Sequence, residues 1–600
     1  MTSNIYRRKP KGQVGILSFL IILIFYILNC TLYIPSALAI YDPLSVPNNK
    51  FGIHIISATP EEIDPASNLV NSSGGDWGYV TVLIEAQNRD ESKWRKVFDD
   101  FREKHLIPLV RIASEPDGNN WKRPYDKEEI AWADFLDNLN WPTKNRYVII
   151  YNEPNQAHEW GGQIDPADYA KTLDKTITAL KAKNPDFFVI NAGFDASAPN
   201  KPPNFEEEAN FLQQMNDSVP GIFEKLDGFS SHSYPNPSFA GLPTDTGKGT
   251  VRTWAWEQEI LKGLGVKKQL PIFITETGWK HAEGVDYDKS LPDSDAISSY
   301  FQEAFKNAWN DKQIVAVTPF VLSYQEAPFD HFSFKKITGE KQVEKIVSLG
   351  SQVLGVSYPE YYPQFDSIKN LSKQTGDPIQ INKAQLIKGE IYPSIVAEEN
   401  YTISFTFKNI GESIWNDGSL VKLIVLKGKQ ELSINNQEVP KNFKVKPGEE
   451  YTFHLNIKAP ADGKYDVSLN LFSGENQFEN EPIEFSTQVK SPVILQIKAS
   501  LKWKNNPAGN YLLTIAGLTK DLIKTITLNS TGNSEKQEVK YIPPDLSYDF
   551  TLEKPFYKPK TIHQTVTSGE NTLDFGELQP DISSAMLHPQ ELWKLLPWSN

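Results

Sequence analysis

Two short segments concentrate the chemistry: Tyr-Asn-Glu-Pro at Tyr151 to Pro154, and Thr-Glu-Thr-Gly-Trp at Thr275 to Trp279. Each places a glutamate just past a run of strand-forming residues, Arg-Tyr-Val-Ile-Ile-Tyr before Glu153 and Leu-Pro-Ile-Phe-Ile-Thr before Glu276. Apolar runs rich in β-branched and aromatic residues suit strands buried on both faces. A carboxylate at the end of such a strand must leave the core, and two that leave at the same end of a parallel sheet face one substrate. A protonated carboxyl and an ionised one acting on the same bond meet the requirement for cleaving a glycosidic link. The acid expels the leaving oxygen, and the anion attacks or supports the anomeric carbon. Their surroundings must hold their pKa values apart.

The strand ends need a frame. Strand-like segments occur at Phe51 to Ile56, Tyr79 to Ile84, Ile107 to Ile112, Tyr147 to Tyr151, Phe187 to Gly193, Gly228 to Tyr234, Pro271 to Thr275 and Ile314 to Tyr324. Between them lie amphipathic stretches, such as Trp94, Val97, Phe98 and Phe101, or Tyr169, Leu173, Ile177 and Leu180, at helical spacing. Eight such units predict a (β/α)8 TIM barrel over residues 40–370, with a doubly wound open sheet as the alternative.

Beyond Gly376 the period changes to two. Tyr401 to Lys408, Val421 to Val425, Tyr451 to Ile457 and Tyr465 to Phe472 read as half-buried antiparallel strands separated by turns, which predicts a β-sandwich over residues 376–490. A second all-β, sandwich-like domain is expected over 491–580, with Pro492 at the joint. The tail 581–600 carries an apolar cluster of Leu592, Trp593, Leu595 and Leu596.

At 600 residues the chain exceeds what one core organises, so several domains are expected. A formal net charge of -14 argues against nucleic acid, whose phosphates would be repelled, and favours a neutral partner. The N-terminus carries Arg7, Arg8, Lys9 and Lys11, an apolar run from Val14 to Leu32, and then Ser36-Ala37-Leu38-Ala39. That pattern is a signal peptide over residues 1–39, with cleavage after Ala39, or a retained N-terminal membrane anchor if uncut. Either implies a secreted or cell-surface protein. Cys30 is the single cysteine and lies inside this segment. An exported chain without disulfides fits a bacterial protein better than a eukaryotic secretory one. Lipidation at Cys30 is disfavoured by the bulk of Asn29. No phosphate-binding loop, His-Glu-x-x-His or cysteine-based metal site is present, so neither a metal nor another cofactor is expected.

Asn152-Glu153-Pro154 after the fourth strand, with Glu276 after the seventh, resembles the clan A glycoside hydrolases, the barrel group that includes families 5 and 39. The resemblance implies that Glu153 is the acid/base and Glu276 the nucleophile of a retaining reaction, with carboxyls about 5 to 5.5 Å apart. It further implies that Asn152 holds the sugar 2-hydroxyl, and that Arg111 keeps Glu276 ionised. His232-Ser233-Tyr234 resembles the clan's His-x-Tyr, whose phenol bonds the nucleophile. Trp279, Trp160 and Trp121 are candidate stacking platforms, with core packing as the alternative for each. His54 is a candidate rim contact. Where the clan commonly has a tryptophan after the eighth strand, this chain reads Thr318-Pro-Phe-Val-Leu-Ser-Tyr324, so Phe320 is expected in that place.

Phe407 to Trp415, followed by Val445-Lys-Pro-Gly448, is similar to tryptophan-marked immunoglobulin-like modules of bacterial surface proteins, which implies spacer or cell-surface contact roles. The end of the second β domain, Asn571 to Leu578, faintly resembles β modules that precede dockerins, but no Asp-rich calcium loop follows. The expectation is an exported retaining glycosidase acting on β-linked polysaccharide. The alternative is a non-catalytic glycan-binding surface protein on the same scaffold.

Overall fold

A computed structural model of the chain describes residues 39–337, 360–458, 461–516, 521–540 and 542–582. The Val14 to Leu32 run, Cys30 and the Leu592 to Leu596 cluster lie outside them. Among the described residues no helix is long and apolar enough to cross a membrane. The chain divides into two compact units, Met1–Ile379 and Gln380–Asn600.

The first unit is an eight-stranded parallel barrel. Strands β1 (Gly52–Ile55), β2 (Gly78–Glu85), β3 (Leu106–Ala113), β4 (Arg146–Ile150) and β5 (Phe187–Asn191) pair in chain order. So do β6 (Phe229–His232), β7 (Ile272–Glu276) and β8 (Ile314–Val317). Parallel bridges Ile190 to Gly228 and Phe51 to Val317 join the two runs and close the cylinder. Each β strand is followed by a helix: α1 (Pro60–Val70), α2 (Glu91–Glu103), α3 (Glu128–Asp137), α4 (Pro166–Lys183), α5 (Glu208–Ser218), α6 (Thr253–Gly263), α7 (Ser294–Glu303) and α8 (Pro363–Asn370). Three start on aspartate caps: Asp90 accepts from the Lys93 N–H, Asp165 from Asp168 and Asp293 from Ala296.

Alternation along each strand sorts the side chains into two cores. Ile53, Ile55, Val80, Val82, Val110, Ile112, Val148 and Ile150 face the helices, where Trp94, Phe98, Phe101, Tyr169 and Leu173 meet them. Tyr79, Ile107, Leu109, Tyr147, Ile149, Phe188, Ile190 and Phe273 fill the barrel. Above that apolar plug the interior turns polar. Thr81 pairs with Thr318 at 2.8 Å and Ser230 with Thr275 at 2.6 Å, both fully satisfied inside the barrel. The next interior residues are Arg111 on β3 and His232 on β6, while on β7 Glu276 directly follows Thr275 and pairs with His232 where the register shifts.

The second unit is all β and holds two cores. In the first, strands Ala384–Glu390, Asn400–Asn409 and Glu450–Lys458 form one sheet. A second sheet runs through Ser394–Val396, Ile483–Lys490, Gly463–Ser473 and Val421–Lys427. Phe405, Phe407, Leu423, Leu455 and Leu469 pack between them. The tryptophan-marked motif has a local physical cause. Buried Asn409 donates to the Ser413 and Val445 carbonyls at 2.9 and 3.0 Å and accepts from the Gly411 N–H at 3.0 Å. The turn so fixed delivers Trp415, 1% exposed, onto Phe478. In the second, the sheet of Gln537–Val539, Val493–Leu501 and Gly569–Leu578 shares a core with that of Leu522–Leu528, Gly509–Ala516, Leu546–Glu553 and Lys560–Val566.

Candidate active site

The site lies at the C-terminal mouth of the barrel, in a cleft of about 460 Å³ lined by Arg111, Asn152, Glu153, Tyr234, Glu276 and Phe320 among others. Glu153 gets there by a backbone turn: Tyr151 and Glu153 both take positive φ, 68° and 30°, immediately after β4. For non-glycine residues this conformation is strained, and it persists where neighbouring structure over-determines it. Here the Glu153 N–H donates to the Gly193 carbonyl at 3.0 Å, tying the β4 end to the β5 end.

Glu153 and Glu276 face each other. One oxygen of each, together with a ring nitrogen of His232, lie within 4.8 Å of one another. Glu153 Oε1 meets His232 Nδ1 at 2.8 Å, and Glu153 Oε2 accepts from Gln156 Nε2 at 2.7 Å. Glu276 Oε1 accepts from Arg111 Nη1, and Glu276 Oε2 accepts from the Tyr234 hydroxyl at 3.0 Å. The same Arg111 nitrogen donates to Asn152 Oδ1 at 2.7 Å, which leaves the Asn152 amide N–H groups free to serve as donors. The close grouping of Glu153, His232 and Glu276 is of metal-ligand type, the one such group among the described residues. The Glu153 to His232 hydrogen bond and the bonds of Glu276 to Arg111 and Tyr234 account for it, and we assign no ion to it.

The two carboxyls titrate far apart. Burial pushes Glu153 up to about 7, against the hydrogen bond and charge of His232, while Asp195 and Glu276 add to the rise. Burial would raise Glu276 as well, but the charges of His232 and Arg111 and the Tyr234 hydrogen bond outweigh it and hold Glu276 down at about 2. Tyr234 is kept protonated by burial and by the adjoining carboxylates, so it remains a donor.

The structure gathers Glu153, Glu276, Asn152, His232, Tyr234, Arg111 and Phe320 at one cleft, and it moves three expected residues elsewhere. Trp160 is not a platform. It is 1% exposed, donates its indole N–H to Asp168 at 3.0 Å and packs edge-on against Tyr151 and Tyr169. Trp279, also 1% exposed, turns into the helical layer against Phe301 and Trp309 and donates to the Gly241 carbonyl at 2.7 Å. Both indoles meet the apolar helix faces, a better home for their area than the polar cleft. His54 is not on the rim: it is fully buried, with Nε2 3.8 Å from Glu276 Oε1 and its ring edge-on to Phe320. Burial, with the Arg111 charge adding, lowers its pKa to about 3, so at neutral pH it adds shape but no charge.

Sequence reasoning missed Gln156 and Asp195, which adjoin Glu153, and the aromatic wall of Phe239, Phe329 and Phe332. Trp121 does line the cleft, from a short hairpin after β3.

Residues 140–315 match the family model described as cellulase, glycosyl hydrolase family 5. That stretch runs from just before β4 into β8 and contains both glutamates; it marks a glycoside hydrolase domain. No curated protein matches the chain. A family 39 glycoside hydrolase from the gut symbiont Bacteroides cellulosilyticus WH2 is similar in structure at 13% identity, over 70% of this chain and 82% of that one, with a TM-score of 0.36. A Cellulomonas fimi endo-β-1,4-mannanase double mutant is similar at 11% identity, over 74% and 94%, with a TM-score of 0.29. The family 51 α-L-arabinofuranosidase AbfB from Bifidobacterium longum is similar at 10% identity, over 84% and 96%, with a TM-score of 0.35. At those scores the three likenesses bear on neither activity nor substrate.

Proposed function

We propose that this glycoside hydrolase is an exported, retaining enzyme that cleaves β-glycosidic bonds of a neutral polysaccharide by double displacement. The observation that carries the reading is the facing pair of glutamates: an oxygen of each within 4.8 Å favours direct attack. An inverting enzyme needs room for a water, with carboxyls about 6.5 to 9.5 Å apart.

In the first step a Glu276 oxygen attacks the anomeric carbon while Glu153 gives its proton to the leaving oxygen, yielding a covalent glycosyl ester and a free alcohol. In the second, Glu153, now ionised, takes a proton from water, and the hydroxide equivalent displaces Glu276. Arg111 and Tyr234 supply the charge and the hydrogen bond that keep Glu276 a carboxylate, and the Asn152 amide is the donor suited to the sugar 2-hydroxyl. The cleft argues for a neutral sugar. Glu153, Glu159, Asp195 and Glu276 all line it, while its one arginine, Arg111, is engaged by Glu276 and Asn152. An anionic sugar would be repelled. The aromatic wall opposite suits the apolar face of a sugar ring. Export rests on the N-terminal sequence alone, and the β domains of the second unit would place the barrel at the cell surface.

The test is turnover of activated aryl β-glycosides and β-linked polysaccharides by the purified protein beside Glu276→Ala and Glu153→Ala. The expected result is loss of activity in Glu276→Ala, and partial rescue of Glu153→Ala by a good leaving group or azide, with a β-glycosyl azide as product. An α-azide product would overturn retention. No turnover by the wild type, with polysaccharide still bound, would favour a binding protein.

A further inference from the structure

We propose that Asp195 and Gln156 are positioning residues that together set when Glu153 gives up its proton, Asp195 by its charge and Gln156 by an N–H that Asp195 orients. The proposal rests on the acid/base role of Glu153 argued above. Gln156 Nε2 lies 2.7 Å from Glu153 Oε2 and 3.2 Å from Asp195 Oδ2. The amide carries two N–H donors, and each finds one carboxylate. The flipped amide would set its carbonyl oxygen against the Asp195 carboxylate, so Asp195 fixes which end of Gln156 meets Glu153.

Asp195 is built in rather than incidental. Wholly buried Asn155 accepts from the Asp195 N–H at 3.1 Å and donates to the Asp195 carbonyl at 2.9 Å and to Glu206 at 3.1 Å, locking the β5 loop onto the β4 loop. The Asp195 carboxylate accepts from the Ser197 N–H at 2.9 Å, which fixes its direction toward Gln156. The surrounding charges come from several elements. Glu153 faces His232 from β6 and Glu276 from β7, with Arg111 from β3 beyond Glu276 and His158 on its own loop. Asp195 faces His232, His158 and, more remotely, Lys248, which is paired with Glu207.

The two neighbours of Glu153 pull in opposite directions. The Gln156 N–H stabilises the Glu153 carboxylate, as required when Glu153 acts as base in the second step. The Asp195 charge opposes ionisation, as required while Glu153 holds its proton for the leaving oxygen. Removing one or the other should therefore move the proton equilibrium with opposite signs, which a purely structural role would not do.

The experiment uses the purified full chain and the variants Asp195→Asn and Gln156→Met. One readout is the pH profile of kcat/KM on an aryl β-glycoside with a poor leaving group. The other needs no turnover: an NMR titration of protein labelled with 13C at the glutamate carboxyls, with the Glu153 signal identified by its loss in Glu153→Gln. Asp195→Asn is expected to move the alkaline limb and the Glu153 midpoint down by about one pH unit. Gln156→Met is expected to move both up. Midpoints that coincide with the wild type, or that shift in the same direction in both variants, overturn the proposal. If Asp195→Asn yields no folded protein, Gln156→Met decides alone, and an unmoved or lowered midpoint overturns it. A chain that turns over no glycoside, yet shows the opposed midpoints, would remove the glycosidase reading and leave the Asp195 to Glu153 link standing.

Discussion

Glu153 and Glu276 are the same residue type a few ångströms apart, and their neighbours alone make one an acid and the other an anion. The sign of the pH dependence follows. The proposed mechanism needs Glu276 ionised, so activity is expected to be lost as pH falls toward its pKa near 2, and Glu153 protonated, so kcat/KM is expected to fall as pH rises through about 7. A pH profile of kcat/KM checks this, and an alkaline limb well above neutrality would contradict the burial argument for Glu153. Arg111→Met removes a cation from Glu276 and is expected to move the acid limb upward, with the alkaline limb nearly still. Tyr234→Phe removes one hydrogen bond to a carboxylate, worth about 1.5–3 kcal/mol, and so is expected to lower kcat/KM roughly 10- to 100-fold. An unchanged rate would mean that the phenol has no part in holding the nucleophile.

Elements decide which of these side chains can meet. Residues at strand ends were legible in part: an exit from the core marked Glu153 and Glu276, and alternation put His232 and Tyr234 on one side, whereas Arg111 came from the family resemblance. Loop residues were not. Gln156 and Asp195 come together only because Tyr151 and Glu153 take positive φ and Asn155 clasps the β5 loop, and neither event leaves a spacing signal. Trp160 and Trp279 sat in the right loops, but a loop tryptophan can turn to the cleft or to the helices, and residue spacing does not say which. Trp160→Ala and Trp279→Ala should therefore each destabilise the barrel by about 3–5 kcal/mol, with KM of the folded fraction little changed. Trp121→Ala should do the reverse, and denaturant unfolding beside kinetics separates the two cases. Gly193, at the end of β5, makes a sharper test of positioning. A Cβ there would overlap the imidazole of His232, so Gly193→Ala is expected to displace that ring and cost activity out of proportion to stability.

Across the whole molecule, the hydrophobic period changes near Gly376, because a barrel strand buried on both faces and a sandwich strand buried on one leave different patterns. The first unit, ending at Ile379, contains the closed barrel, both of its cores and every residue assigned to the cleft. A unit with its own core and its own complete site is expected to fold and act alone. A chain ended after Ile379 should hydrolyse small aryl β-glycosides with kcat/KM close to that of the full protein, since such a substrate needs no more than the cleft. Calorimetry of the full chain should then show a transition that coincides with the unfolding of the shortened one, as separate cores permit. An inactive or insoluble product would mean that the barrel depends on the β unit for its stability, and would recast those domains from the placing modules proposed above into parts of the enzyme. Activity kept on aryl glycosides but lost on insoluble polysaccharide would instead assign the β domains to delivery of the polymer.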